Sequence, residues 1–134
     1  MKNVDSKKKV NNCFDTKMLV ARIMIVGIFA MSAFGKITGF AGSAGYAASS
    51  WVPLPGELLI VAAILMEVFG VAAVLSGWKF KEGALVLALY TFLTIIMFHI
   101  GEGESMAMLK NFAIVGGLLA MSQLAPGKFS LSNK

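Results

Sequence analysis

Cysteine and histidine are almost absent from this sequence, which contains one of each, Cys13 and His99. A single cysteine cannot form an intrachain disulfide and cannot supply the thiolates of an iron–sulfur or zinc cluster. A single histidine cannot ligate a haem from both sides, and it cannot build a metal site without carboxylate help. We therefore predict neither a metal site nor a covalently bound cofactor.

Charge is also scarce, because only 14% of the 134 residues are charged while 57% are hydrophobic. Soluble domains usually carry about 25% charged and about 45–50% apolar residues. A soluble fold of this length could not bury so much apolar surface, whereas a lipid bilayer can. The composition therefore predicts an integral membrane protein whose first partner is the bilayer.

Four segments are long and apolar enough to cross the roughly 30 Å of bilayer hydrocarbon, which takes about 20 residues of helix. The first begins near residue 18 and runs through residue 34, with an end as late as residue 37 or 40. The others cover residues 58–76, 84–100 and 106–124. We predict an all-α membrane protein, a four-transmembrane-helix bundle over residues 18–125, between a basic tail (1–17) and a C-terminal tail (126–134).

The distribution of basic residues predicts the orientation of the bundle, since cytoplasmic loops carry an excess of lysine and arginine. Placing both termini in the cytoplasm puts most lysines on that side. No aromatic residues are interleaved with the basic leader, so we expect it to contact anionic lipid and not nucleic acid. The lysines on the predicted cytoplasmic side are Lys2, Lys7, Lys8, Lys9, Lys17, Lys79, Lys81, Lys128 and Lys134.

The connection between residues 35 and 56 is the longest one and lies on the predicted outer side. Connections longer than about 12–15 residues are usually functional or disordered. This one is too apolar for a free linker, so we expect a short helix on the outer leaflet that could cover a cavity. Pro55 and Glu57 suit the first turn of the second span, where an acidic side chain favours the helix dipole.

Glu67 is the most informative residue, because it lies about 14 Å into the second span at 1.5 Å per residue. A carboxylate at that depth is costly unless it is paired, protonated or hydrated. Arg22 and Lys36 are fourteen residues apart on the first span and fall on nearly the same helix face, so either is a candidate ion-pair partner. The alternative is that both cations extend to the membrane surface and bind lipid phosphate.

Small residues near these positions suggest where helices or ligands come close. Gly70 lies one turn from Glu67 and is expected to open space around the carboxylate. Gly116, Gly117 and Ala120 form a small face on the fourth span, which favours tight helix contact.

A second polar group is expected at the outer ends of the spans. His99 ends the third span, and Lys110 and Asn111 begin the fourth, across a short loop. Lys110 and Asn111 could form a four-residue polar cluster with Lys36 and Glu57 at the outer mouth of the bundle. Simple anchoring at the membrane interface explains Lys110 and Asn111 equally well, and His99 is either structural or a proton donor to a ligand.

Several short motifs, taken in order, resemble the DoxX family of small bacterial membrane proteins. The resemblance covers roughly residues 18 to 130, and it departs from the family pattern at Val71, where a second glycine is usual. Lys79 and Lys81 stand where an arginine is often found. The matching segments are Phe-Gly-Lys-Ile-Thr-Gly-Phe (34–40), Glu-Val-Phe-Gly (67–70), Phe-His (98–99), Leu-Lys-Asn (109–111), Gly-Gly (116–117) and Pro-Gly (126–127).

The resemblance implies a multi-pass protein of the bacterial cytoplasmic (inner) membrane with a loose link to redox processes. Some members are subunits of thiosulfate:quinone oxidoreductases, and others belong to complexes of oxidative-stress defence. We therefore expect a small subunit of a membrane redox system that contacts quinone. The chain has no electron-carrying group of its own, so it is not a self-sufficient enzyme, and a membrane or soluble redox partner must supply the electrons.

The residues expected to contact the quinone are Lys36, Glu67, His99, Lys110 and Asn111, with Glu67 and His99 as the candidates for proton exchange. Two other functions stay open. One is a non-catalytic subunit that anchors or organises a complex, in which Glu67 only balances Arg22 or Lys36. The other is a small transporter, for which a homo-oligomer would be needed because one protomer shows no ring of charge.

Overall fold

The computed structural model describes residues 2–98, 105–124 and 126–130, with side chains from Cys13 to Met97 and in the two later segments. This part of the chain is helical and contains no strand. Four of its five helices are long and apolar enough to cross a membrane. The helices are α1 (Lys2–Thr38), α2 (Phe40–Ala48), α3 (Gly56–Ser76), α4 (Phe80–Phe98) and α5 (Ser105–Ser122). The predicted fold class, an all-α four-span membrane protein, is confirmed.

The first helix is longer than the first predicted span, because the basic leader continues it without a break. No proline precedes Pro53 and no glycine precedes Gly27, so no residue in the leader interrupts helical hydrogen bonding. The segment of α1 suited to the bilayer is Cys13–Thr38. The leader, predicted only as a tail, is thus a helical extension of the first span.

Helix α2 is the short helix predicted for the long outer connection. Ala44 and Ala47 are buried and pack with Ile60 of α3. Gly56 permits this contact, because a Cβ at that position would collide with the carbonyl of Ala44. Because Gly56 has no side chain, α2 can pack directly against the start of α3.

The ends of α3 follow from its flanking residues. Pro55 occupies the N-cap position, and Glu57 lies exposed in the first turn, next to the unpaired amide groups of the helix start. Gly77 ends the helix with φ of 82°, a left-handed conformation that glycine adopts without a steric penalty. The predicted end of the second span at residue 76 and the predicted place of Glu57 in the first turn are both confirmed.

Close packing of α3 on α4 occupies the space that Gly70 was expected to leave open. A Cβ at Gly70 would collide with the side chain of Leu87, which is fully buried. Gly83 of α4 approaches Ala73 in the same way. The prediction that Gly70 makes room beside Glu67 is wrong, because a side chain from the facing helix fills that room.

The small face on α5 also differs from its prediction. An added Cβ at Gly116 would meet nothing within 4 Å, and one at Gly117 would meet only a terminal methyl of Ile25, at 3.8 Å. Ala120 is exposed as well. Helix α5 instead buries Leu118 and Met121, so its small residues face outward from this chain.

Three segments meet at one end of the bundle. The amide of Lys128 donates to Oδ1 of Asp15 at 3.1 Å, which ties the C-terminal tail to the first helix. Ser130 packs on Gly77 in the α3–α4 connection. We call this end, which also carries the basic leader, the tail end, and the end that carries α2 the α2 end. That the tail end is cytoplasmic stays a prediction.

Candidate functional site

One face of α1 carries two buried cations. Arg22 is fully buried, and Lys36 exposes only 17% of its side chain. Phe29 and Ala33 lie between them and are each 5% exposed. Fourteen residues at 3.6 per turn return a helix to nearly the same direction, so the spacing puts both cations on one face, and that face is the one the bundle buries.

Lys36 pairs with Glu67 near the middle of α3. The Nζ atom of Lys36 lies 2.7 Å from Oε1 of Glu67, and the Glu67 side chain is completely buried. The same ammonium donates to the hydroxyl of Ser32 one turn earlier and lies 5.7 Å from the centroid of the Tyr90 ring. The lysine is thus surrounded by an acid from α3, a hydroxyl from α1 and an aromatic face from α4, which are groups that attract an ammonium ion.

The second oxygen of Glu67 is in a different situation. Oε2 is buried and accepts no hydrogen bond. The hydroxyl of Tyr90 faces this carboxylate and also lies beside the hydroxyls of Ser32 and Thr94. A carboxylate oxygen with free lone pairs in a dry interior is costly, and it is available to accept a proton or a donor group.

Arg22 is not the partner of Glu67 and does not extend to lipid. Its guanidinium lies at the tail end, over the ring of Phe80 at 5.9 Å from the centroid. The last carbonyls of a helix have no donor within the helix and carry its negative dipole, and arginine offers five N–H groups to satisfy such acceptors. Its acceptors are four backbone carbonyls, those of Val74 (2.8 Å from Nε), Leu75, Pro126 (2.9 Å from Nη1) and Phe129 (2.8 Å from Nη1).

A cavity of about 290 Å³ lies beside the Lys36–Glu67 pair, between α1, α2, α3 and α4; we call it the first cavity. Lys36 and Tyr90 line it side by side, with the ammonium 5.7 Å from the ring centroid, and Tyr46 of α2 lines it as well. Most of the remaining lining is apolar: Ala47, Leu59, Ile60, Ala62, Ala63, Met66, Leu93 and Met97. A few polar groups converging on an apolar cavity are typical of small-molecule sites.

A second cavity, of about 180 Å³, lies between α1, α4 and α5. Lys110 and Asn111 line it, and it lies at the same α2 end of the bundle as the first cavity. The two cavities have Ser32, Tyr90 and Thr94 in common. These three side chains form the wall between them.

The structure therefore brings together some of the residues predicted for the site and separates others. Lys36 and Glu67 are in contact, while Lys110 and Asn111 line a different cavity. Glu57 is exposed at the start of α3 and lines neither cavity, so the expected four-residue outer cluster is not formed. His99 lies outside the described residues.

Ser32, Tyr90 and Thr94 line both cavities but were not predicted as site residues from the sequence. Tyr90 carried a usable signal, because it is a phenol placed in the middle of an apolar span and needs a hydrogen-bonding environment. Ser32 precedes Lys36 by one helical turn, the spacing at which two side chains on a helix meet. Thr94 donates to the carbonyl of Tyr90, a common arrangement for threonine in a helix, so its spacing did not mark it out.

Comparison with known proteins identifies the family of the chain. The family model DoxX matches residues 17–100. Inner membrane protein YqjF of Escherichia coli (strain K12) is 36% identical over 120 residues, which cover 87% of this chain and 90% of that protein. Inner membrane protein YphA of the same organism is 31% identical over 125 residues, covering 87% of this chain and 89% of that protein. No solved structure matches. With four candidate spans and these relatives, the chain belongs to the DoxX family and is a multi-pass inner membrane protein.

Proposed function

We propose that this protein binds the headgroup of a membrane quinone in the first cavity and serves as the quinone-contacting subunit of a membrane redox system. The observation that carries the proposal is the position of Lys36. Its ammonium is held by the buried Glu67 and lines an otherwise mostly apolar cavity beside Tyr90.

The chemistry of a quinone headgroup suits this lining. The ring is flat and apolar, and its two carbonyl oxygens accept hydrogen bonds. Lys36 and Tyr90 offer an ammonium and a phenol as donors, and Leu59, Ala63 and Met66 offer apolar contact to the ring. Ligand pockets usually measure about 300–1,000 Å³, so a volume of about 290 Å³ suits a headgroup whose tail remains in lipid.

Reduction of a quinone adds two electrons and two protons. The Lys36–Glu67 pair, with Tyr90 beside it, supplies groups that can exchange protons with a bound ligand. Electrons come from a partner protein in the membrane or in solution, because redox chemistry is carried by cofactors rather than by these side chains. His99, Lys110 and Asn111 remain sequence-based candidates for ligand contact.

A second function is favoured by one observation, the ion pair itself. The 2.7 Å contact between Lys36 and Glu67 joins α1 to α3, which is also what a non-catalytic anchor or organising subunit would require. In that case the cavity is incidental and quinone binding is absent. The two functions therefore differ in a measurable ligand affinity.

Quinone binding is tested with purified protein in mild detergent. Trp51 donates to the carbonyl of Ile96 at 3.1 Å, next to the cavity-lining Met97, so its fluorescence reports binding there once Trp78→Phe removes the other tryptophan. We expect saturable quenching by a short-tailed ubiquinone analogue. Ala63→Leu, which fills the cavity without touching its polar groups, should weaken binding about tenfold or more, equivalent to about 1.4 kcal/mol.

The matched controls separate folding from binding. Lys81→Met removes an exposed lysine at the tail end and should leave the affinity unchanged. Lys36→Met combined with Glu67→Gln removes both charges of the pair and should fold yet bind weakly. Full affinity in the Ala63→Leu protein, or no saturable binding by the unaltered protein, would contradict the proposal and favour the anchor.

A further inference from the structure

The second cavity differs from the first in the chemistry of its walls. Six of its nine lining residues carry a hydroxyl, an amide or an ammonium group. Its apolar lining consists of Ile28, Phe29 and Ile114 alone. Lys110, which is exposed near the start of α5, places the opening of the cavity toward the α2 end of the bundle.

These walls are suited to water. Thr91 and Thr94 donate their hydroxyl hydrogens to the carbonyls of Leu87 and Tyr90, at 2.8 and 2.9 Å. Their oxygens keep lone pairs that can accept hydrogen bonds from water. Each water takes about 30 Å³ of liquid volume and needs two to four polar partners, so a cavity of about 180 Å³ with six polar side chains in its lining has room and partners for several.

The cavity also leads to the buried acid. Ser32, Tyr90 and Thr94 line both cavities, so their side chains separate the second cavity from the Lys36–Glu67 pair. The Tyr90 ring centroid lies 5.7 Å from the Lys36 ammonium, which contacts Oε1 of Glu67 at 2.7 Å, and Oε2 of Glu67 is buried without a hydrogen-bond partner. Tyr90 therefore stands between a place for water and an oxygen that can accept a proton.

We propose that the second cavity is a water-filled vestibule through which protons pass between the membrane surface at the α2 end and Glu67, with Tyr90 as the relay. In each transfer the Tyr90 hydroxyl gives its proton to Oε2 of Glu67 and takes one from a vestibule water, and that water is reprotonated through the neighbouring waters by a proton from the membrane surface. One proton moves, and no electrons do. This proposal rests on the proposed function in one respect: the protons would be used to reduce the ligand bound in the first cavity.

Two cations lie near the relay. Lys36 on α1 contacts Oε1 of Glu67 on α3, so Oε2 is left without a partner and is the oxygen that can take up a proton. Lys110 on α5 lines the vestibule but is exposed, so solvent and salt screen its repulsion of an entering proton.

Hydration is tested by cysteine accessibility in a Cys13→Ser background, which removes the native thiol. Thr91→Cys places a thiol in the vestibule, and the matched control Phe92→Cys places one on the exposed, lipid-facing side of the same helix. A charged, water-soluble thiosulfonate should react about tenfold or more faster with the vestibule thiol. Equal rates, or no reaction at Thr91→Cys, would show that the cavity is dry and overturn the proposal.

Proton transfer is tested with a lipid-soluble carbodiimide, which modifies protonated carboxyl groups, followed by mass spectrometry of the peptide containing Glu67. In sealed membranes of known orientation, fixed by labelling Ser49→Cys at the end of α2, modification should rise about fivefold when pH is lowered on the α2 side only. Tyr90→Phe should abolish the rise. Tyr46→Phe, which alters a tyrosine lining only the first cavity, should preserve it.

Two results would overturn the relay: a response that follows the pH of the opposite side, and a full response in the Tyr90→Phe protein. Neither experiment contains a quinone. Failure of quinone binding would therefore leave both outcomes unaffected, and failure of the vestibule would leave the binding measurement in the first cavity unaffected.

Discussion

The tail end and the α2 end of the bundle each bury a cation from the same face of α1, and they satisfy it in opposite ways. At the tail end, Arg22 donates to four backbone carbonyls from α3 and the C-terminal tail. At the α2 end, Lys36 donates to a carboxylate and a hydroxyl and borders a cavity. Backbone carbonyls keep their chemical state at any pH, whereas a carboxylate can take up a proton or exchange its partner for a ligand.

The side chains are packed more tightly around Arg22, at the tail end, than around Lys36, at the α2 end. Near the tail end, Val74, Ala84 and Leu87 are completely buried, and Gly70 lets α3 and α4 approach closely. The two described cavities lie at the α2 end. The comparison indicates that one end of the bundle holds the fold together while the other leaves room for chemistry.

Replacing Arg22 tests the structural end and should have the largest effect. Arg22→Met leaves one buried and three partly buried carbonyls without this donor. A buried carbonyl without a donor costs about 1–3 kcal/mol, so the summed loss is a large fraction of the stability of a small protein. We expect loss of folded protein, measured by size-exclusion chromatography after heating in detergent. Arg22→Lys, with fewer donors, should recover only part of the stability.

The matched control on the same helix is Lys17→Met, because Lys17 is exposed. It should leave the melting temperature within a degree or two. If Arg22→Met melted at the same temperature as Lys17→Met, the carbonyls would have found other donors and the contrast between the two ends would fail.

Replacing the partners of the ion pair tests the other end and should have a smaller, asymmetric effect. Lys36→Met leaves a fully buried carboxylate unpaired and should cost about 3 kcal/mol. Glu67→Gln should reduce the stability less. The glutamine amide oxygen can still accept a hydrogen bond from Lys36, and Lys36 is partly exposed because it lines the cavity. The thermal stability of both single variants and the double variant, compared in a double-mutant cycle, measures the coupling.

The double variant provides the check on this interpretation. Removing both charges should restore most of the stability lost in Lys36→Met. Equal losses in Lys36→Met and Glu67→Gln, with no recovery in the double variant, would mean that the pair is not coupled through charge and that the two ends are equally structural.

The smallest expected effect concerns the packing of α3 on α4. Gly70→Ala forces a methyl group against Leu87 and should lower stability by about 1–3 kcal/mol. Gly116→Ala adds the same methyl group to open space on α5 and should leave stability unchanged or slightly higher. The difference in melting temperature between the two variants measures the packing, and no difference would mean that Leu87 moves aside freely.

The spans and the short outer helix were predictable because their signals are local in sequence. Apolar runs report the hydrocarbon thickness directly, and the apolar character of residues 35–56 indicated a helix rather than a free linker. The pairing of Glu67 was half predictable, since helical spacing named Arg22 and Lys36 as candidates without choosing between them. The choice depends on how far along α3 each cation lies, which only the packed bundle defines.

The remaining features depend on contacts between distant segments. Gly70 was expected to open space, but the filling side chain, Leu87, comes from another helix. Two of the acceptors of Arg22 lie in the C-terminal tail, more than a hundred residues away. Every residue has a backbone carbonyl, so the sequence does not show which carbonyls will accept a hydrogen bond from the arginine. The small face at Gly116 was expected to meet a helix, yet no rule of spacing says which face of a span meets lipid.

The unbroken course of α1 has a mechanical consequence. At 1.5 Å per residue, the fourteen residues from Arg22 to Lys36 span about 21 Å of continuous helix without a proline. Such a rod turns as a whole, so any rotation that carried Lys36 away from Glu67 would also pull the guanidinium out of its cradle of carbonyls. With one end clamped in this way, any exchange of partners by the ammonium requires rotation about the bonds of its own four-carbon chain, while the helix stays in place.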